Sequence, residues 1–352
     1  MLDAIVPSSV FHVSYPSFEE LIRNRIDYML RLLEFPDEKI ESIIRKSVRL
    51  GDDKQMLRSY FEIIEDSLRS RRKMGGEILR FIDEVSGGDM RLALDFFRTF
   101  LVSGNTNISE MMRIDEDVKE QSGGRRRYQI PFHHVIKSII LEHSRLYSSS
   151  QSRIMNLFEL NSAYAESHFL HLRILRYLEA RMSSSITLGR GYVDIDEVLD
   201  KAEEIDIIQD AVADSLQKLA HYGLIEFENQ SKKGYDKADY VRITNTGVYY
   251  LRELVKVFAY LDLVWMDTPI GDAKVVADLL DLLVELKGYK SATDLEDRFQ
   301  RTRIFLDYLQ EMEKDEFSRN AELSGSAFGQ KKYVPEIRKA FEEQRDYIIL
   351  KR

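Results

Sequence analysis

Four groups of residues have types and spacings that could do chemistry. The first is Arg91, two residues after Asp89 in Ser86-Gly87-Gly88-Asp89-Met90-Arg91. Free N–H groups in the first turn of a helix favour a carboxylate there and oppose a cation, so the polar end of Arg91 is expected to be held outward. The second is Arg125-Arg126-Arg127, directly behind Gly123-Gly124. Flexible cations beside glycines suit contact with a nucleic-acid backbone, which needs no reading of sequence; the acidic run just before them, Glu110 to Glu120, is the other partner open to them. The third is Lys232, Lys233 and Lys237, opposed by Asp236 and Asp239 in a polar, glycine-bearing stretch. The fourth is His133, His134 and His143, which lack the i,i+4 pairing of an H-E-x-x-H metal site, so no metal centre is expected. No Ser-His-Asp, Cys-His or paired-carboxylate spacing occurs, no catalytic residue is assigned, and an independent enzyme is not expected.

The elements that must position Arg91 are two helices. Leu79, Ile82 and Val85 recur at helical spacing, Gly87-Gly88 stop that helix, and Leu92, Ala93, Phe96, Phe97, Phe100 and Leu101 line one broad face of the next. Upstream, Ser17 with Glu20 reads as a capping box. It opens a helix with a stripe from Phe18 to Leu33, off which lie Arg23 and Arg25. A second helix starts at Asp37, and a third carries Met56 to Leu68 and ends in Arg69-Ser70-Arg71-Arg72-Lys73. Cations suit a helix carboxyl end without any ligand; a phosphate-bearing partner is the other reading.

A helix followed by (S/N)GGDxRxAL resembles the lid of AAA+ and STAND-type ATPases, nearest to the Orc/Cdc6-like branch. In that family the arginine of this motif is a sensor that reaches the nucleotide phosphates, and Arg91 matches it. Phe11 to Leu33 resembles the last core strand and first lid helix of such proteins. The connector in this family resembles PFHHVIKSIIL…SRIMNLFEL, residues 131–160. Yet the chain contains no G-x-x-x-x-G-K-[ST] and no apolar strand ending in a carboxylate pair suited to magnesium. The resemblance therefore implies ATP and Mg only through an ATPase core supplied by the same protein or a separate chain. This sequence would be its truncated or separately encoded carboxyl-terminal portion, not active alone.

From His168 to Leu254 the order helix, helix, helix, strand, polar tip, strand, helix predicts a winged helix-turn-helix domain with a small β-hairpin. SLQKLAHYGLIEFEN…VRITNTGVYYL looks like its third helix, wing and last helix. Such domains usually lay the third helix in the major groove. Here nine carboxylates oppose two lysines between Tyr192 and His221, a repulsive field for phosphate. Gln209, Gln217 and Lys218 are the only residues there suited to base edges. Sequence reading by this helix is not expected. Contact of DNA backbone with Lys232, Lys233 and Lys237, near Arg190 and Arg242, stays open beside a protein-facing domain.

The fold class expected is thus mainly α: an AAA+-type helical lid, a winged helix with its hairpin, and a helical carboxyl-terminal region. The boundaries read as 1–15 for a core remnant, 16–104 for the lid, 105–165 for a linker and connector helix, 166–255 for the winged helix and 256–352 for the helical end. Gly104 to Gln121 is read as linker or exposed loop, residues 255–265 as a continuation of the preceding helix with Trp265 as a core anchor, and 324–329 as a turn or disordered joint. The end segment suits self-association or partner docking. Composition is that of an ordinary folded protein, with 44% apolar and 32% charged residues over 352 positions. A net charge of -9 supplies no global attraction to nucleic acid. Zero cysteines exclude disulfides, and no apolar run has membrane length; a cytoplasmic protein is expected. Three functions are consistent with these features: the nucleotide-relaying portion of an ATPase, a nucleic-acid module using the wing and the arginine run, or a protein–protein adaptor.

Overall fold

The computed structural model describes residues 17–44, 53–69, 74–103, 108–160, 167–182, 191–228, 238–284, 295–329 and 331–350. The segment 1–15, the wing residues Lys232, Lys233 and Lys237, Arg190, and residues 70–73 lie outside them. Contacts divide the chain into two compact units: Met1–Leu79 with Ile108–Ile130, and Arg80–Asn107 with Pro131–Arg352.

In the first unit are α1 (Phe18–Leu32), α2 (Asp37–Ile44) and α3 (Asp53–Arg69). Next, α4 (Met74–Val85) crosses the division, α5 (Met90–Val102) belongs to the second unit, and α6 (Ile108–Ser122) returns to the first. The division therefore falls inside the segment read as a helical lid, 16–104. Ser17 caps α1, its Oγ accepting the N–H of Glu20 at 3.2 Å. α1 packs on α3, burying Phe18, Ile22 and Ile26 of one and Ile63, Ile64 and Leu68 of the other.

The expected linker after Gly104 is corrected by α6, which packs on α3. Its stripe is hidden among charges: Met111 is buried, and the next inward position, one turn on, is the equally buried Asp115. That carboxylate accepts the N–H of Tyr128 at 2.8 Å and pairs with Arg127 at 3.2 Å and Lys119 at 2.8 Å.

The second unit holds α7 (Phe132–Leu141), α8 (Leu170–Met182), β1 (Val193–Asp194), α9 (Ile195–Glu203), α10 (Gln209–His221), β2 (Ile225–Phe227), β3 (Tyr240–Ile243) and α11 (Asn245–Arg252). The strands form an antiparallel sheet in the order β1-β3-β2, with Val193 opposite Val241 and Ile225 opposite Ile243. The arrangement is winged-helix-like, with three strands where a two-stranded hairpin was expected. Gly247 is required at the start of α11, because a Cβ there would lie 2.1 Å from the carbonyl oxygen of Leu224.

Beyond it come α12 (Phe258–Val264), α13 (Ala273–Val284), α14 (Leu295–Arg319) and α15 (Val334–Leu350). The helix expected to run on through 255–265 breaks: Glu253 leaves helical geometry and Val257 is extended, at φ -80° and ψ 122°. Gln344 of α15 meets the freed backbone, accepting the N–H of Phe258 at 3.0 Å and donating to the carbonyl of Lys256 at 2.7 Å. Trp265 is buried, as read. The joint at 324–329 is packed: Phe328 is buried and stacks on Tyr177 with ring centroids 5.0 Å apart.

Candidate functional site

The turn carrying Arg91 is built by its glycines. Gly87 and Gly88 have φ of +62° and +78°, a region that side chains resist. Asp89 then caps α5, its Oδ1 accepting the N–H groups of Arg91 at 2.8 Å and Leu92 at 3.1 Å. Arg91 is exposed, and its guanidinium makes no ion pair among the described residues. The opposite side of α5 buries Ala93, Phe96, Phe97 and Phe100 and packs on α7.

Several contacts hold this turn and helix to the winged-helix-like part. Thr246 Oγ1, at the start of α11, donates to the carbonyl of Glu84 at 2.8 Å. Arg80 pairs with Glu253 at the end of α11, and Phe81 lies beside Tyr249 with centroids 6.5 Å apart. A further tie is Arg153, in the connector after α7. Its guanidinium pairs with Asp95 of α5 at 2.5 Å and Glu142 at 2.7 Å, donates to Thr99 Oγ1 at 3.1 Å, and lies 4.6 Å from the centroid of the Phe96 ring.

The same connector is threaded into the rest of the unit. Ile154, Met155, Leu157 and Phe158 have no exposed surface. The hydroxyl of Tyr260 donates to the carbonyl of Met155 and accepts the N–H of Leu157, both at 2.9 Å. Asn156 Nδ2 donates to the carbonyl of Val264 at 3.2 Å and Thr268 Oγ1 at 2.9 Å. A buried irregular segment must find such partners for its backbone; Tyr260, Tyr147 (to the carbonyl of Ile154), Tyr250 (from the N–H of Met155) and the Asn156 Oδ1 (from the N–H of Phe158) supply them.

Beyond Phe158 the connector reaches α10. Glu159 pairs with Lys218 at 2.6 Å, and the Tyr222 hydroxyl donates to the carbonyl of Ser149 at 2.7 Å. Ser149, Ser150, Glu159, Leu160, Asp214, Gln217, Lys218, His221 and Tyr222 line an open cleft of 550 Å³. The carboxyl-terminal half of the helix that would read DNA thus lies against the chain's own connector. Lys218, the one cation among its candidate base readers, is held by a carboxylate. Beneath this helix, burial together with the Lys218 charge pushes His171 down to about 3, leaving its ring neutral.

Other cations singled out by sequence have internal partners. Arg127 pairs with Glu62 at 2.8 Å as well as with Asp115, inside the first unit. Arg242 pairs with Glu226 across β2 and β3 and lies 4.7 Å from the Tyr192 ring centroid. Arg125 and Arg126 are exposed. Among the described residues no group of three His, Cys, Asp or Glu is placed to hold a metal, and no helix is long and apolar enough to cross a membrane. Sequence reasoning missed Arg153 and Glu159. Their signal was a charged residue at either end of the apolar run Ile154-Met155-Asn156-Leu157-Phe158, where full burial of the run forces each charge to find a partner. Comparison with protein-family models, curated proteins and solved structures gives no match to this chain.

Proposed function

We propose that the chain is the nucleotide-relaying portion of a P-loop ATPase, with the α4–α5 turn as receiver and the winged-helix-like part as output. The single observation that carries this reading is the two-sidedness of α5. Arg91 stands exposed at its amino end, while its inner face is tied through Arg153 to the connector that grips α10. A displacement of Arg91 by nucleotide phosphates would be carried to the winged helix through the hydrogen-bonded, packed and ion-paired ties between them. ATP and Mg would be held by a core outside these residues, in the same protein or a separate chain. The output is protein-facing in this reading, since Lys218 is paired with Glu159 and the field of α9 and α10 repels phosphate.

The test is Arg91→Ala in the ATPase assembly that contains this chain, read as ATP affinity and turnover. A sensor arginine on phosphate is a charge-assisted contact worth roughly 1.5–3 kcal/mol, so a loss of about tenfold or more in affinity or turnover is expected. Unchanged affinity and turnover reject the sensor role. Salt-dependent retention of the chain on DNA, lost on Lys232→Ala with Lys233→Ala, would instead favour a nucleic-acid module.

A further inference from the structure

A second polar cluster lies where α12 packs on both α7 and α14. Asp262 of α12 is 2% exposed and accepts Arg298 Nε at 2.6 Å on one oxygen and Arg301 Nη2 at 3.2 Å on the other. Two guanidinium groups of α14 therefore share one carboxylate. Arg298 and Arg301 are 7% and 2% exposed, and Arg298 Nη2, Arg301 Nε and Arg301 Nη1 are buried without a hydrogen-bond partner among the described residues. The Phe258 ring, 5.2 Å from the Arg298 guanidinium, offers a π face and no acceptor.

The neighbouring face of α7 adds to the positive field. Lys137 is pushed below the usual lysine range by burial and by Arg298, against the pull of Asp262. His133 and His134 are pushed down to about 3 and about 4, first by burial and then by neighbouring charges that include Arg298 and Lys137. Neutral imidazoles bring no further charge and no carboxylate. Two arginines thus share a single aspartate, with Lys137 adding to the positive field, in a place where unpaired donors and uncompensated charge are costly. Among the described residues Asp262 is the one side chain that provides these guanidinium groups with acceptor oxygens.

We propose that Arg298, Arg301 and Lys137 form a closed basic pocket for one small oxyanion, either inorganic phosphate or the phosphate group of a monoester. Forked guanidinium donors match the spacing of oxyanion oxygens, and an ammonium adds a point charge. The three unpartnered nitrogens are covered, so the anion enters as the α12–α14 packing opens and is sealed in when it closes. Occupancy would join α7, α12 and α14 through one shared ligand. This pocket is independent of the ATPase reading, because it uses none of the residues around Arg91.

The test is thermal unfolding and titration calorimetry of the full chain with sodium phosphate, against sodium chloride at matched ionic strength. Wild type is expected to show a saturable rise in Tm with phosphate alone. Asp262→Asn removes the carboxylate that competes for the guanidinium donors, and should bind phosphate about tenfold more tightly or better. Arg301→Met should lose the response. Phenyl phosphate distinguishes the sources: binding equal to that of phosphate points to a monoester, and no binding points to the free anion. Identical responses to phosphate and chloride in both wild type and Asp262→Asn overturn the proposal, as does undiminished phosphate binding by Arg301→Met. Should Arg301→Met not fold, the comparison of wild type with Asp262→Asn decides alone.

Discussion

Replacing Arg153 by Met keeps the apolar stem and removes the group that ties α5 to the connector. Its pair with Asp95 counts least, because the Asp95 side chain is 50% exposed; about 0.3 kcal/mol is appropriate for so wet a pair. The pair with Glu142, each side chain 30% exposed, contributes roughly 0.5–1 kcal/mol. Contact with the buried Phe96 ring adds about 0.5–1 kcal/mol, and the bond to Thr99 about 0.5 kcal/mol. The loss is therefore on the order of 2 kcal/mol, or about 30-fold in an opening equilibrium. Amide hydrogen exchange measures it directly: protection at Phe96, Phe97, Thr99 and Phe100 should fall by that factor in Arg153→Met. Arg98→Met, on the exposed face of the same helix, should change protection less than about threefold. Equal protection of α5 in wild type and Arg153→Met would refute the tie.

Tyr260→Phe removes a hydroxyl that serves two buried backbone groups at once, at Met155 and Leu157. With a fully buried ring, the loss should be about 2–6 kcal/mol in denaturant unfolding, since each of the two orphaned groups carries roughly 1–3 kcal/mol. In the first unit, burial alone would raise the Asp115 carboxyl, but hydrogen bonds from Lys119, the Tyr128 amide and Arg127 hold it below its ordinary value. A carboxyl depressed in the folded state adds stability that is complete above its unfolded value, about 3.9, and is lost as pH falls through the lower folded value. Acid titration by circular dichroism should accordingly show Arg127→Met losing its α-helical signal at higher pH than wild type; coincident curves would count against this network.

The winged-helix-like elements were legible in the sequence because their apolar periodicities switch cleanly at glycine and polar turns. β1 was not, since two residues carry no period of their own and Val193 reveals itself only opposite Val241. α6 was hidden by its chemistry: the position that completes its inward stripe is Asp115, an acid made tolerable by Arg127, which lies beyond the helix end. The break before α12 was hidden by distance. No glycine or proline marks it, and the side chain that meets its freed backbone is Gln344, on the last helix. At the site, the outward attitude of Arg91 followed from the helix dipole and the apolar face behind it. For Arg127 the sequence left two partners open, and folding brings Glu62 and Asp115 to it. Arg153 was invisible as a tie, because its partners Asp95 and Glu142 lie on other elements and nothing in spacing announces them.

Rigid coupling between the Arg91 helix and the winged-helix-like part is most directly tested by spin-label distance measurement. The chain has zero cysteines, so Arg98→Cys on α5 and Asp210→Cys on α10 place two labels at exposed positions without background. A single narrow distance distribution is expected in the wild-type background, broadening when Arg153→Met is added. A broad or multiply peaked distribution in the wild-type background, unchanged by Arg153→Met, would contradict the coupling.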